Sequence, residues 1–417
     1  MLSSIKNAFR IEELRKKIIF TLLMFLVFRI GAHIPAPGID REILETLFSQ
    51  NIFGFIDVIS GGAFKNLSIF AMGIMPYINA SIIMNLLTIV VPYFEQLSKE
   101  GPEGRKKMAQ FTRYGCVGLA FVQALGMSAY LKTAIIDVNP FSVLVLATTL
   151  TAGTAFLMWM GEMITEKGIG NGISLIIFAG IVSRIPSGIT YMVSALRTGE
   201  TNFFAVLAFL VMAVIIVAGI IFIQEGQRKI PIQYAKRVVG RKVYGGQTSH
   251  IPLKVNQAGV IPVIFAMSIL MLPSMLGSFF PNNSFATVIA NIFSQGHPFY
   301  MVIYTLLIIF FAYFYTAVTF SPVEVADNVK KNGGFIPGIR PGRPTAEFID
   351  RILTRLTLAG AIFLAFIALL PNVMMAVTGL DISFGGTSLL IAVGVALDTM
   401  KQLESQLLMR NYQGFMN

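Results

Sequence analysis

The chain alternates long apolar runs with short polar ones, and the runs have membrane length. About ten of them approach the roughly 20 residues that cross a bilayer. They fall at 18–34, 72–91, 115–135, 142–162, 173–192, 203–223, 259–280, 299–320, 353–371 and 385–403. This pattern predicts an all-α polytopic membrane protein with ten transmembrane helices. The stretch that leads into the second run is badly built for a simple span. In "GGAFKNLSIFAMGIMPYINASIIMNLL", residues 61–87, two glycines open the segment and Lys65 and Asn66 interrupt it. Gly73 and Pro76 break its middle, and Asn79 and Asn85 sit in its second half. Residues 61–71 are too short to span. They predict a separate piece on the outer side, either folded inward as a stopper or lying as a helix on the outer leaflet.

Two short matches reveal an internal repeat. "GIMPYI" (Gly73 to Ile78) opens the second span and "GVIPVI" (Gly259 to Ile264) opens the seventh. "GISLII" (Gly172 to Ile177) opens the fifth and "GTSLLI" (Gly386 to Ile391) opens the tenth. Both matches divide the chain into two five-span halves, 1–197 and 198–417. Paired spans run in opposite directions, as in an inverted repeat about an axis in the membrane plane. Such repeats place the functional centre where the halves meet. Ile78, Ile177, Ile264 and Ile391 then converge on one point. Ile74 and Ile173 precede two of them by four residues, on the same helix face. Pro76 and Pro262 fall in first turns, where a missing N–H is not needed. The same helix starts carry Asn79, Ser174, Ser268 and Ser388. At mid-depth these polar groups must face water or protein. The pattern predicts funnels above and below a narrow apolar waist.

Composition sharpens the topology. Of 417 residues, 55% are hydrophobic and 13% charged, with a formal net charge of +11. With the N-terminus inside, most of the 32 Lys and Arg residues fall on inside segments, which predicts cytoplasmic termini. The basic start runs into the first span without a convincing small-residue cleavage site, so it reads as a span and not as a signal peptide. Arg29 lies toward the outer end of that span, either snorkelling or hydrogen-bonded to a neighbouring helix.

Familiar chemistry is missing from the sequence. The three histidines are His33, His250 and His297, and Cys116 is the single cysteine, which excludes a disulfide within the chain. No HExxH, GxSxG or GxxxxGK[ST] motif occurs. "EKGIGNGIS" (166–174) does not complete a dinucleotide fingerprint and predicts a tight turn that needs positive φ. Glu162, Glu225 and Asp398 fall near cytoplasmic span ends, not at mid-depth. That placement argues against ion-coupled transport, the alternative suggested by the inverted repeat alone.

Two inside loops are long. Residues 224–258 alternate like strands around "YGG", which predicts a projecting β-hairpin carrying Lys236 and Arg237. Residues 321–350 contain "NGGFIPGIRPGRPT", which presents Arg340 and Arg343 between Gly and Pro. Such loops attract anionic lipids. Their length also predicts a macromolecular partner, an acidic protein surface or structured RNA.

Several of these segments together resemble the SecY protein-translocation channels: "IFAMGIMPYINASIIMNLL", "GIGNGISLIIFAGIV", "YAKRVVGRKVYGGQTSHIPLKVNQAGVIP", "FIPGIRPGRPT" and "FGGTSLLIAVGV". The resemblance covers essentially the whole chain. It implies a clamshell of two inverted five-helix halves around an hourglass pore, hinged between spans 5 and 6, in the bacterial plasma membrane. It implies no enzymatic activity and no cofactor. The implied pore ring is Ile74, Ile78, Ile173, Ile177, Ile264 and Ile391. The implied plug is Gly61, Gly62, Ala63, Phe64, Lys65, Asn66, Leu67, Ser68, Ile69 and Phe70. A lateral gate lies between spans 2 and 7, with Asn79 and Leu272 at its edges and spans 3 and 8 behind it. Implied partners are SecE-like and SecG-like small subunits, the SecA motor ATPase, the ribosome and secretory preproteins with signal sequences. Lys236, Arg237, Arg340 and Arg343 would dock the motor or the ribosome.

Overall fold

The computed structural model of the chain describes residues 9, 11–40, 57, 60–131, 134–136, 139–199, 202–234, 237–239, 242–244, 248–279, 288–289, 292–293, 297–378 and 386–414. The described helices are α1 (Glu12–Gly31), α2 (Met75–Val90), α3 (Pro92–Lys99), α4 (Pro102–Tyr130), α5 (Pro140–Lys167), α6 (Gly172–Ser183), α7 (Ile185–Thr198), α8 (Phe203–Glu225), α9 (Ile261–Phe279), α10 (Pro298–Thr319), α11 (Pro322–Lys331), α12 (Arg343–Thr378) and α13 (Gly386–Gly414). Each of the ten apolar runs falls on a helix. The fifth is split at Arg184 into α6 and α7. Among the described residues, five helical stretches are long and apolar enough to cross a membrane by themselves, and a sixth arises if α2 and α3 count as one broken span.

Proline sets many of the starts. It stands at the first or second position of α2, α3, α4, α5, α7, α10 and α11, where its fixed φ suits the helix and its missing N–H is an orphan in any case. Pro92 also ends α2, because the residue before a proline is pushed out of the helical region. Val91 is extended at φ −109°, ψ 115°, and α3 leaves at 99° to α2.

The main core gathers α2, α5, α6, α9, α10, α12 and α13. Outward faces remain apolar. On α8 only Val206, Ile216 and Ile220 are buried, whereas Phe204 and Phe222 are among the most exposed side chains. A helix that is apolar all round suits a lipid surroundings.

The long loops at 224–258 and 321–350 fold together. Strands β1 (Gln227–Tyr234) and β4 (Thr248–Lys254) pair antiparallel, with Ile230 opposite Ile251. Between them, β2 (Arg237–Val239) and β3 (Lys242–Tyr244) form the tip of the expected hairpin. Its innermost described pair is Val239 with Lys242, so Tyr244 stands on a strand opposite Arg237 and not at the reversal. The other loop adds β5 (Gly334–Phe335) to the free edge of β1. Ile230, Leu253, Ile336, Ile349 and Ile352 close a small core beneath this sheet.

Glycines allow the tightest helix contacts. A Cβ at Gly172 would overlap the carbonyl oxygen of Gly161, so α6 starts directly against α5. Gly172→Ala should therefore lower the apparent melting temperature in detergent by several degrees, at the scale of about 1–3 kcal/mol for overpacking. Gly118→Ala, on α4 with open space around it, should leave stability unchanged or raise it by about 0.5–1 kcal/mol. Thermal unfolding of both variants side by side measures the difference.

Candidate functional site

The centre of the molecule is built from four helix starts. Before α2, Gly73 adopts φ +58°, and before α9, Gly259 adopts φ +63°. Both are left-handed positions that favour glycine. Each is followed by a proline at the second helical position, Pro76 or Pro262. The turn ahead of α9 is fixed by Asn256, whose side-chain amide donates to the Gly259 carbonyl at 3.0 Å. The other two starts, α6 and α13, begin on the paired glycines Gly172 and Gly386. Asn171 caps α6 by accepting from the Ser174 N–H at 3.2 Å. Just before it, Gly170 supplies the expected positive φ of +84°.

From these starts the isoleucines converge. Ile74, Ile78, Ile177, Ile264 and Ile391 are all buried in one apolar cluster, and Ile173 packs against it partly buried. Polar neighbours are enclosed by protein: Asn79, Ser268 and Ser388 are all buried. Ser268 on α9 donates to the sulfur of Met75 on α2 at 4.0 Å, so the second and seventh spans touch. Leu272 follows Ser268 by one helical turn, and its side chain lies outside the described residues.

Residues 60–74 fill one side of this centre as a series of turns. Most are buried, with Lys65 and Asn66 exposed, and they form turns, so the expectation of a helix lying on the outer leaflet does not hold. Ala63, Leu67 and Ala71 are almost fully enclosed. The backbone is paired strand-like with residues 34–36: Ile69 donates to Ile34 at 3.0 Å, and Ala36 donates to Leu67 at 2.9 Å. Leu67 takes φ +37°, rare for a leucine and held by its burial. Gly153 and Gly31 make room for the segment, since a Cβ on either would overlap the Ile69 carbonyl or the Phe70 ring. Phe70 stacks between Phe28 and Phe156, with centroids at 6.3 and 5.8 Å.

Polar anchors hold the start of the segment, and sequence reasoning missed most of them. Asp57 accepts the Lys65 N–H at 2.8 Å through its carboxylate and pairs with Arg184. Arg29 donates to the Gly61 carbonyl at 2.7 Å and to the Ser183 hydroxyl at 3.1 Å. Arg29 is therefore a packing residue and not a snorkelling one. A lone carboxylate in "FIDVIS" and a lone guanidinium in the fifth span were the available signals. Nothing in their spacing joins positions 127 residues apart.

In the 321–350 loop, Arg340 is exposed on a turn between Gly338 (φ +81°) and Gly342 (φ +99°). The Thr345 hydroxyl donates to its carbonyl at 2.9 Å and fixes the turn. No ion pair to Arg340 is found among the described residues. Arg343 pairs with Glu347 at 3.1 Å on the first turn of α12. Arg237 lies on β2 with its side chain outside the described residues, and Lys236 lies outside them altogether.

The comparisons with known proteins agree with this architecture. The protein translocase subunit SecY of Halalkalibacterium halodurans is 52% identical over 428 residues, covering 100% of both chains. A solved protein-conducting channel matches with a TM-score of 0.72 at 20% identity, over 94% of this chain and 92% of the other. Sec61 from the canine ribosome–channel complex of the endoplasmic reticulum matches at 0.69 and 19%, over 94% and 92%. Those two likenesses are of fold. Residues 68–400 match the SecY family model. With the full-length identity, that match makes the chain a member of the SecY family.

Proposed function

We propose that this chain is the channel-forming subunit of a protein translocase. Unfolded polypeptide passes through the centre of the helical bundle, and apolar segments leave sideways into lipid between the second and seventh spans. The observation that carries this reading is the gathering of Ile74, Ile78, Ile173, Ile177, Ile264 and Ile391 from four helix starts into one apolar cluster. A passage for unfolded chain cannot read sequence, so it needs no fixed polar site. Short apolar side chains make a deformable ring that dewets and resists ion leak when closed. Residues 61–70 act as the plug on the outer side of that ring.

The protein is a multi-pass membrane protein. We place it in the bacterial plasma membrane with both termini in the cytoplasm, on the distribution of its Lys and Arg residues. The sequence has no nucleotide-binding motif, so a partner supplies the energy. The sheet and the Arg340 turn, with Lys236, Arg237 and Arg343, dock a SecA-like motor or the ribosome. A fold neighbour solved in a ribosome complex supports the latter. The lipid-like face of α8 leaves room for a SecE-like helix, and a SecG-like subunit completes the complex. Anionic lipids attract the same basic face.

Three experiments test these assignments. Ile391→Asn puts an amide where an apolar side chain is buried, and that burial is worth about 1.5–3 kcal/mol. Opening should become easier by about tenfold per 1.4 kcal/mol lost. Planar-bilayer recordings without substrate should show raised ion leak; conductance as low as wild type would remove Ile391 from the seal. Arg340→Glu should slow motor-driven translocation into vesicles severalfold while membrane insertion and assembly stay normal. Wild-type rates would return Arg340 to a purely topological role. Cysteines replacing Met75 and Ser268, in a Cys116→Ser background, should crosslink in the idle complex and block secretion reversibly. Efficient secretion through fully crosslinked channels would rule out a gate at this contact.

A further inference from the structure

The 61–70 segment is tied at its N-terminal end by more bonds than a surface turn needs. Asp57 is the hub. Its backbone carbonyl accepts from the Gly62 N–H at 2.9 Å and from the Ser60 hydroxyl at 3.2 Å. One carboxylate oxygen accepts from the Lys65 N–H at 2.8 Å, and the other pairs with Arg184. The Ser60 hydroxyl in turn accepts from the Phe64 N–H at 3.1 Å. A single carboxylate thus ties Asp57 to Lys65 and links both to the break between α6 and α7.

A second set of contacts repeats the attachment without Asp57. Arg29, at the end of α1, grips the Gly61 carbonyl and the Ser183 hydroxyl together. Gly61 lies so close to α6 that a Cβ there would sit 3.0 Å from the Gly180 Cα and from the Ser183 oxygen. Arg29 reaches Gly61 and the Arg184 guanidinium lies beside Gly62, so the carboxylate of Asp57 also offsets like charge there. The pair is shielded: the side chains of Arg184 and Asp57 are 24% and 12% exposed. Removing one partner would leave the other a poorly hydrated, unpaired charge.

We propose that Asp57 and Arg184 form a latch that keeps the 61–70 plug shut. They are positioning residues: neither lines the isoleucine ring, and both act by fixing the segment that covers it. The geometry suits a latch better than a weld. The far end of the segment, at Ile69 and Phe70, is held by close apolar packing. The near end is held by one ion pair and a few hydrogen bonds, which water entering with a substrate can replace. The plug then hinges from its Phe70 end when the latch breaks. This inference rests on the plug reading above.

The test uses the complete translocase complex in planar bilayers, recorded without substrate. Asp57→Asn keeps the shape and an acceptor for the Lys65 N–H but removes the charge. Arg184→Gln removes the opposite charge, and Arg184→Lys retains it. Asp57→Asn and Arg184→Gln should each raise the time-averaged idle conductance by about tenfold, with Arg184→Lys staying near wild type. In a complex lacking residues 62–70, Asp57→Asn should add nothing, because the latch has nothing left to hold. If the deletion leaks and neither single substitution does, the latch is wrong and the plug survives. If Asp57→Asn raises the leak further in the deletion complex, Asp57 acts elsewhere and the latch is again wrong. If the deletion itself is as tight as wild type, the plug reading falls and the latch with it.

Discussion

Backbone at membrane depth must find its hydrogen-bond partners within the protein, because lipid offers none. Everything at the centre of this chain follows from that constraint. Residues 60–74 are not helical, so their N–H and carbonyl groups cannot be satisfied along the segment alone. The turns satisfy several of them internally, and residues 34–36, Asp57 and Arg29 satisfy others from outside. Gly31 and Gly153 lack the side chains that would keep the segment out. A broken, half-polar stretch persists at this depth because the surrounding helices were shaped to receive it.

The same constraint explains the repeated helix starts. A helix that begins at mid-depth exposes unpaired N–H groups, and a proline in its first turn removes one of them. A left-handed glycine ahead of the proline turns the chain sharply into the helix. Gly73 and Gly259 share this conformation in the two halves. Their common geometry delivers Ile78 and Ile264 to one place. A functional centre made of apolar side chains is also the one that suits an unselective passage. Under the reading proposed above, it would hold water and ions back when closed and yield to any extended chain.

At the β-sheet, two loops separated by more than sixty residues become one surface. Among the described residues, the pairing of β5 with β1 joins Gln233 with Phe335 and Tyr234 with Gly334. It is secured beneath by the small core of Ile230, Leu253, Ile336, Ile349 and Ile352. This packing gives the Arg340 turn a defined platform, as the docking role proposed for it requires. An arginine on a freely moving loop would lose part of its binding energy to ordering.

The positions of the spans were legible in the chain because apolar length and proline placement are local properties. The meeting of the isoleucines in one cluster was legible because the repeat writes the same short pattern twice, and symmetry converts two local signals into one shared point. The hairpin of 224–258 was legible for the same local reason, though not its third strand. Other features depended on contacts between distant residues. The burial of 61–70 against Gly31 and Gly153, the grip of Arg29 on Gly61 and the pairing of Asp57 with Arg184 belong to this class. An isolated charge in an apolar run shows that a partner is needed but not which one, because the partner is chosen by how the helices pack. Local sequence thus determined which segments form apolar helices and which isoleucines gather in one cluster. The tertiary structure alone decided what holds the covering segment in place, since that depends on bringing together groups that no periodicity connects.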